Sequence, residues 1–357
     1  MLRVGYDPQM FSFFTRSGVA KYFAQLSCLM PDYGWKPYFP FHFSNNQHYF
    51  ELGGSHLWRI PDIRGAKRLC RMLNLADRID RSKFPVWHST FYDTGFLNTY
   101  GDLGLVTTVH DMIPESLPQF FSVNPHDGKT EYVRRARRII AISRHTRDDI
   151  CRLYGTDASR IDVVYHGIDP AECRVAPMAL PDNYILFIGA REGYKNFDKM
   201  LEAYAGLVPR HRDLKLVCIG VSSFSKTEMG RIRALGLTDV IYATAGDAEI
   251  RYALRKARAF VYPSLYEGFG IPIIEAMVQR CPMALAKASC FPEIARDAAV
   301  YFDPNDVDSI RESIDRLLCD SDLCEALTAL GELLVRDYSI ARMLRQTADV
   351  YEKAFDR

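Results

Sequence analysis

The sequence predicts an α/β protein with two parallel sheets, each covered by helices, in two successive domains. The chain has 357 residues, 48% of them hydrophobic, and at about 100 to 200 residues per domain that length suggests two domains with sizeable cores. Short apolar runs alternate with longer stretches of helical period, the pattern of a parallel sheet with helical crossovers. The alternation breaks once, between Pro170 and Pro181, where Pro177 also falls, and then restarts. That stretch reads as the interdomain linker.

In the first half, the apolar runs Leu2 to Tyr6, Val86 to Ser89, Leu105 to His110, Ile139 to Ser143 and Ile161 to Tyr165 predict strands. Val19 to Met30, Gly65 to Asp80, Lys129 to Arg138 and Arg147 to Tyr154 predict the helices between them. In the second half, strands are expected at Tyr184 to Ala190, Leu214 to Gly220, Val240 to Ala243, Ala259 to Pro263, Met283 to Ala286 and Ala299 to Phe302. Helices are expected around 196–208, 226–235, 247–257 and 272–280, and then at 306–319, 321–336 and 339–355. Two Rossmann-like halves in series would place a ligand where both sheets present the carboxyl ends of their strands, in a cleft between the domains.

Composition excludes several classes. With 45 Lys+Arg against 44 Asp+Glu the chain is nearly neutral, so it is neither disordered nor a strongly basic nucleic-acid binder. The nine cysteines are scattered, odd in number and never spaced C-x-x-C, which predicts reduced thiols. The N-terminus MLRVGYDPQMF lacks the basic start and uninterrupted apolar run of a signal peptide, and no apolar run approaches the ~20 residues that span a bilayer. A cytoplasmic protein is expected. Charge is uneven locally, however: residues 59–83 carry net +5 and residues 131–152 net +4, which points to an anionic partner on that side. In 59–83, Ala66, Leu69, Cys70, Leu73 and Ala76 recur at helical spacing among Lys67, Arg68, Arg71 and Arg78. This fits either a solvated amphipathic helix or one attracted to an anionic membrane surface. Arg134 to Arg138 reads as a helix surface, or as part of a face for acceptor or lipid.

The most informative segment is Tyr262-Pro-Ser-Leu-Tyr-Glu267-Gly268-Phe269-Gly270-Ile271-Pro272-Ile-Ile-Glu275. A strand ends at Pro263, a glycine-rich loop follows, and Pro272 sits where its missing N–H costs nothing, at a helix start. Backbone N–H groups at such a start bind phosphate oxygens, and Gly268 and Gly270 permit close approach. Arg191 and Lys195 follow the apolar strand 184–190 and could supply fixed positive charge to a departing diphosphate. The D-x-D pair Asp306 and Asp308 sits at a helix start and reads as capping, and the nine histidines show no ligand spacing; no metal site is expected.

These residues resemble the retaining glycosyltransferases of family 4, in the branch of bacterial polysaccharide mannosyltransferases. Seven residues separate Glu267 from Glu275, as in the family's E-x₇-E motif, and further segments are similar in the same order. They are Tyr6 to Phe11, Arg16 to Phe23, Val109 to Glu115, Ile140 to Ser143, Tyr165 to Ile168, Phe187 to Phe197, and Pro292 through Pro304. The resemblance implies a GT-B architecture, with residues 1–173 on the acceptor side, 174–338 binding the nucleotide-sugar, and a C-terminal helix in 339–357 packing back on the first domain. It further implies that Arg191 and Lys195 clamp the diphosphate, Glu275 binds the ribose, and Glu267 holds donor-sugar hydroxyls with His110 opposite. Gly18, Gly268, Phe269, Gly270 and Ile271 would line the donor site, while Lys21, Asp111 and Ser143 would serve the acceptor or phosphate.

The implied activity is transfer of a hexose, with retention and without metal or cofactor, to a glycan or lipid-linked glycan in surface polysaccharide (O-antigen) synthesis. The donor is expected to be GDP-mannose, with a UDP-sugar or GDP-fucose as alternatives. A peripheral position on the inner face of the cell membrane follows if 59–83 meets lipid. Three departures stand out: Ser17 replaces a family glycine, Lys21 an arginine, and Arg280 a glycine after the Glu275 helix, a position where φ > 0 would strain an arginine. Among rivals, a nicotinamide oxidoreductase lacks its glycine fingerprint at Val4-Gly-Tyr-Asp-Pro, and a non-catalytic scaffold or a nucleic-acid- or membrane-binding protein would need no intact E-x₇-E.

Overall fold

A computed structural model describes residues 1–60, 65–74, 79–102, 104–172, 174–191 and 193–356, without the side chains at 66, 67, 71, 81 and 172. Two compact units result: residues 1–166 with 340–357, and residues 167–339.

In the first unit, β1 (Leu2–Tyr6), β2 (Trp35–Tyr38), β3 (Phe43–Ser44), β4 (Trp58–Arg59), β5 (Val86–Ser89), β6 (Leu105–Val109), β7 (Arg138–Ala141) and β8 (Ile161–Val163) follow in chain order. Six of them form one parallel sheet in the order β2-β1-β5-β6-β7-β8, and β3 pairs with β4. The central strands β5 and β6 are buried throughout, which is why they read as continuous apolar runs rather than alternating ones. Strand β2 is absent from the periodicity because it is short and holds Pro37, which is tolerated on an edge strand.

Helix Ile340–Phe355 packs Met343, Leu344, Val350 and Tyr351 into the core of this first unit, beside Val4, Phe23, Trp35 and Val106. A buried polar chain locks it there: Tyr351 Oη lies 2.8 Å from His88 Nδ1 and 3.2 Å from Tyr6 Oη, and His88 Nε2 lies 2.8 Å from Thr108 Oγ1. Burial depresses the His88 pKa to about 3, so the imidazole is neutral.

The second unit contains β9 (Tyr184–Ile188), β10 (Lys215–Ile219), β11 (Val240–Ala243), β12 (Ala259–Tyr262), β13 (Met283–Ala286) and β14 (Val300–Phe302). All are parallel, in the order β11-β10-β9-β12-β13-β14. The chain winds outward from β9 in both directions, so the strand order reverses between β9 and β12. In the first unit the same reversal falls between β1 and β5. Loops at the carboxyl ends of these strand pairs are where such sheets bind ligands.

Several sequence expectations need correction. The helix expected over Gly65 to Asp80 is a helix at Ala66–Asn74, with Ile79 and Asp80 outside it and residues 75–78 outside the described residues. The helix expected through Arg138 ends at Arg135, because Ala136 takes ψ 135° and turns the chain into β7. Arg134 to Arg138 is therefore not one helix surface: Arg138 is a strand residue whose guanidinium binds Asp162. Ser143 is no strand residue either; its Oγ caps helix Arg144–Tyr154 by accepting from Thr146 N at 3.0 Å. At Arg280 the strain expected from sequence is present. Its φ is +53°, and the N–H groups of Arg280 and Cys281 close on Met277 O and Ala276 O, a left-handed helix ending that glycine would fill at lower cost.

Candidate functional site

At the strand reversal of the second unit, four loops are stitched together by residues with unusual backbone. After β9 the chain passes Gly189 at φ +123° and a turn at Gly193–Lys195 before Asn196 at φ +59° opens helix Phe197–Leu207. Asparagine tolerates this conformation. Its Nδ2 donates to Pro263 O at 3.2 Å and Pro304 O at 2.7 Å, tying the loops after β9, β12 and β14. Leu265 N also donates to Tyr194 O at 2.8 Å. These contacts bring Lys195 Nζ to 2.6 Å from Glu267 Oε1, with side chains only 14% and 11% exposed. The Glu267 backbone is fixed by the β13 loop, since Glu267 N donates to Ser289 Oγ at 3.0 Å and the Cys290 thiol donates to Glu267 O at 3.2 Å. Burial, and then the Glu267 carboxylate, push the neighbouring Tyr262 phenol well above its usual range.

Past Glu267, Gly268 and Phe269 are buried and Phe269 packs edge-on against Tyr338 at 5.8 Å. Gly270 adopts φ +81° and precedes helix Ile271–Val278 without a capping side chain; a Cβ there would lie 3.0 Å from Ile273 Cδ1. A helix start without a side-chain cap favours an anion. Glu275 lies on this helix, 4.0 Å from Arg251 Nε of helix Asp247–Lys256. That Arg251 nitrogen is buried and has no hydrogen-bond partner among the described residues, nor has the fully buried Ser264 Oγ in the β12 loop. Neither residue was identified from the sequence; a buried arginine on a helix gives no periodic signal.

Arg191 is buried and paired within the second unit. Its Nε donates to Glu228 Oε1 at 2.6 Å and its Nη2 donates to the carbonyls of Ser222 and Ser223, in the loop after β10, at 2.8 and 3.0 Å. Phe224 and Tyr242 cover it at 4.9 and 5.7 Å from their ring centroids. Gly220 leaves room for it, since a Cβ there would sit 3.0 Å from Arg191 Nη1.

In the first unit, Ser17 caps helix Gly18–Leu29, its Oγ accepting from Ala20 N at 3.0 Å; Gly18 is exposed in the first turn and Lys21 half-buried one turn on. His110 follows β6. Its ring stacks on His166 at 5.9 Å and 9° and meets Tyr22 edge-on at 5.3 Å. Burial holds His110 well below the ordinary histidine range and His166 near 4, so both are neutral. His110 Nε2 is buried without a partner among the described residues. Asp111 works locally: Oδ1 accepts from Ile113 N at 3.1 Å, and its carbonyl accepts from the fully buried Lys129, which also binds Glu115 at 2.9 Å.

As expected from sequence, Asp306 caps helix Val307–Cys319, accepting from Asp308 N at 2.9 Å. Among the described residues, His211, Asp315 and Cys319 could together approach a metal. They lie at the Val307–Cys319 helix, away from the strand reversal, and Arg210 already occupies Asp315.

Two doubly wound parallel units, the second with a cation and carboxylates at its strand reversal, form the GT-B architecture, shared at 16% identity with a crystal structure of a glycosyltransferase from Rickettsia africae that superposes with a TM-score of 0.70. Residues 16–172 match Glycosyltransferase Family 4 and residues 174–332 match Glycosyl transferases group 1. The chain is 31% identical to O-antigen chain mannosyltransferase B of Escherichia coli over 277 residues, covering 69% of this chain and 70% of the relative. It is 26% identical to O-antigen chain mannosyltransferase RfbU of Salmonella typhimurium, covering 74% and 77%. A crystal structure of Anabaena HepE with UDP and glucose superposes with a TM-score of 0.72 at 16% identity, over 98% of this chain and 99% of that one. The chain belongs to glycosyltransferase family 4.

Proposed function

We propose that this glycosyltransferase moves mannose from GDP-mannose to a hydroxyl of a glycan or lipid-linked glycan in O-antigen-type polysaccharide synthesis, with retention of anomeric configuration and without a divalent metal. The observation that carries the reading is the Lys195–Glu267 pair beside the open start of helix Ile271–Val278. Breaking the bond between the sugar and the diphosphate leaves negative charge on the departing phosphate. The Lys195 ammonium and the backbone N–H groups at the helix start would stabilise that charge. A diphosphate would draw Lys195 from Glu267, freeing the carboxylate to accept from donor-sugar hydroxyls. Glu275, on the same helix with Arg251 Nε 4.0 Å away, would accept from the ribose hydroxyls. The neutral His110 would offer a hydrogen bond to a sugar without competing for the phosphate.

Arg191 we assign as a positioning residue that holds the loop after β10 through Ser222, Ser223 and Glu228. The printed names of the mannosyltransferase relatives support the choice of sugar.

The test is turnover of GDP-mannose and UDP-glucose with a mannose-terminated acceptor, with and without excess EDTA, the product anomer being read by NMR. GDP-mannose turnover unaffected by EDTA and giving an α-linkage is expected. Dependence on added magnesium, or an inverted product, would contradict the mechanism; preference for UDP-glucose would contradict the donor.

A membrane-facing role for part of 59–83 also has support. No helix among the described residues is long and apolar enough to cross a membrane, but Met72 is 62% and Leu69 47% exposed, beside the exposed Arg68. Exposed apolar groups flanked by arginine suit an anionic lipid surface. Residues 61–64 and 75–78, including Arg78, lie outside the described residues, as do the side chains of Lys67 and Arg71. Co-sedimentation with phosphatidylglycerol vesicles that is lost in 1 M salt is expected; equal binding to phosphatidylcholine vesicles, or none to either, would contradict it.

A further inference from the structure

Away from its strand reversal, the second unit gathers three side chains that ligate metals. Asp315 and Cys319 stand one turn apart on helix Val307–Cys319, so they project from the same face. His211 reaches them from the turn after helix Phe197–Leu207, 104 residues before Asp315. Its ring Nε2 lies 2.7 Å from Asp315 Oδ1, and Cys319 Sγ lies 3.8 Å from the same oxygen. All three ligand atoms fall within 4.8 Å of one another.

Contacts outside the cluster hold the two segments side by side. Near the starts of the helices, Lys199 donates to Asn305 O at 3.0 Å; farther along, a Cβ at Gly206 would stand 2.8 Å from Arg311 Cδ, so the helices approach closely. The His211 backbone is fixed as well, its N–H donating to Leu207 O and its carbonyl accepting from Leu214 N, both at 3.0 Å. Arg210 Nη1 takes only Asp315 Oδ2, at 2.6 Å, and leaves Oδ1 facing His211 and Cys319. An outer hydrogen bond of this kind orients a carboxylate for a metal. The His211 and Asp315 side chains are 22% and 18% exposed and Cys319 is exposed, which gives an ion a path in and a side open to water.

Imidazole, carboxylate and thiolate together suit an ion of borderline softness such as Zn²⁺, whereas Mg²⁺ and Ca²⁺ take oxygen ligands. With bonds of about 2.0 Å to nitrogen and oxygen and about 2.3 Å to sulfur, a tetrahedral ion separates N from O by about 3.3 Å and S from O by about 3.5 Å. The Cys319–Asp315 spacing is already close to that, and the His211 ring has to back off by about 0.6 Å. We infer that His211, Asp315 and Cys319 form a Zn²⁺ site that clasps helix Val307–Cys319 to the turn after helix Phe197–Leu207. Binding sends two protons to solvent, that of the Cys319 thiol and the one His211 shares with Asp315, and a water completes four-coordination. Thiolate and carboxylate cancel the charge of the ion, so Arg210 stays on Oδ2. The site takes no part in sugar transfer.

The test uses the untagged full chain, stripped with EDTA and dialysed. Zn²⁺ is titrated against a chromophoric chelator, and Co²⁺ serves as a spectroscopic substitute. One Zn²⁺ per chain is expected, saturating at roughly 100 µM and raising the melting point by several degrees. Co²⁺ should show the near-ultraviolet charge-transfer band of a bound thiolate. Cys319→Ser changes one exposed atom and should keep the melting point of the stripped protein. It and His211→Gln should each weaken Zn²⁺ at least tenfold, and Cys319→Ser should remove the Co²⁺ band. Cys151→Ser, in the first unit, should do neither. Failure of the wild type to bind Zn²⁺ at that concentration would overturn the inference. So would an affinity that stays within twofold of the wild type in either Cys319→Ser or His211→Gln.

Discussion

The two units share one construction and carry opposite chemistry. Each is a six-stranded parallel sheet whose order reverses beside its first strand, β1 next to β5 and β9 next to β12. At the second reversal the loops and the helices that follow them deliver charge: Lys195 against Glu267 in the loops, and Arg251 beside Glu275 on two helices. At the first they deliver aromatic rings, with neutral His110, His126 and His166 nearby. Of the nine histidines only His211 belongs to the second unit. Topology decides where a ligand can sit; the side chains around it decide what chemistry the ligand meets there.

The sharpest way to break this contrast is to remove its charged half. Lys195→Ala and Glu267→Ala should each lower turnover roughly 10²-fold or more, the scale of losing an oriented group at the reacting centre. Losses below about fivefold in steady-state kinetics would mean that the pair is only a surface ion pair.

Arg191 separates structure from chemistry within the second unit. Arg191→Ala strands Glu228 and two loop carbonyls, at a cost of about 3 kcal/mol for breaking a largely buried pair. At roughly 2 to 4 °C per kcal/mol, a melting scan should fall by on the order of 5 to 10 °C. Reduced hydrogen-exchange protection should appear in the second unit. An unchanged melting point with abolished nucleotide binding would return Arg191 to the diphosphate.

Acid should distinguish the units in the other direction. His88 is depressed to about 3, His166 to about 4, and His110 and His126 also lie below the ordinary value of 6.5. As pH falls through 6.5 the unfolded chain binds protons that the folded unit refuses, so stability is lost between about pH 6.5 and 4. Buried Asp7, raised to about 6, works against this, because the folded state keeps its proton between its usual 3.8 and that value. With at least two protons remaining, the first unit should lose on the order of 3 kcal/mol per pH unit. In the second unit, Glu228 and Asp239 are held below the ordinary carboxylate range, so its acid loss starts lower. Hydrogen exchange at pH 5 against pH 7 should show the first unit opening selectively; uniform loss would contradict the assignment of neutral histidines.

The smallest effect belongs to Arg280. Arg280→Gly relieves a left-handed backbone and loses only an exposed pair with Glu332, so a gain of about 0.5 to 1 kcal/mol in denaturant unfolding is expected. A loss would show that the ion pair outweighs the strain.

Much of this was legible in the sequence, for identifiable reasons. Buried parallel strands such as Leu105 to Val109 announce themselves as continuous apolar runs, and Gly270 with Pro272 marks a helix start. Edge strand β2 did not, because Pro37 and its length of four residues hide it. The direction of Arg191 was illegible, because its partners Glu228, Phe224 and Tyr242 are distant in sequence. Asn196 could be read inside a motif, but its bonds to Pro263 and Pro304 could not.

The charged strand reversal of the second unit is tested most directly by titrating GDP-mannose into the wild type and Lys195→Ala. Lys195→Ala should weaken GDP-mannose at least tenfold while the melting point without ligand stays within a few degrees of the wild type. If Lys195→Ala leaves GDP-mannose affinity intact, the assignment of the diphosphate to this reversal is wrong.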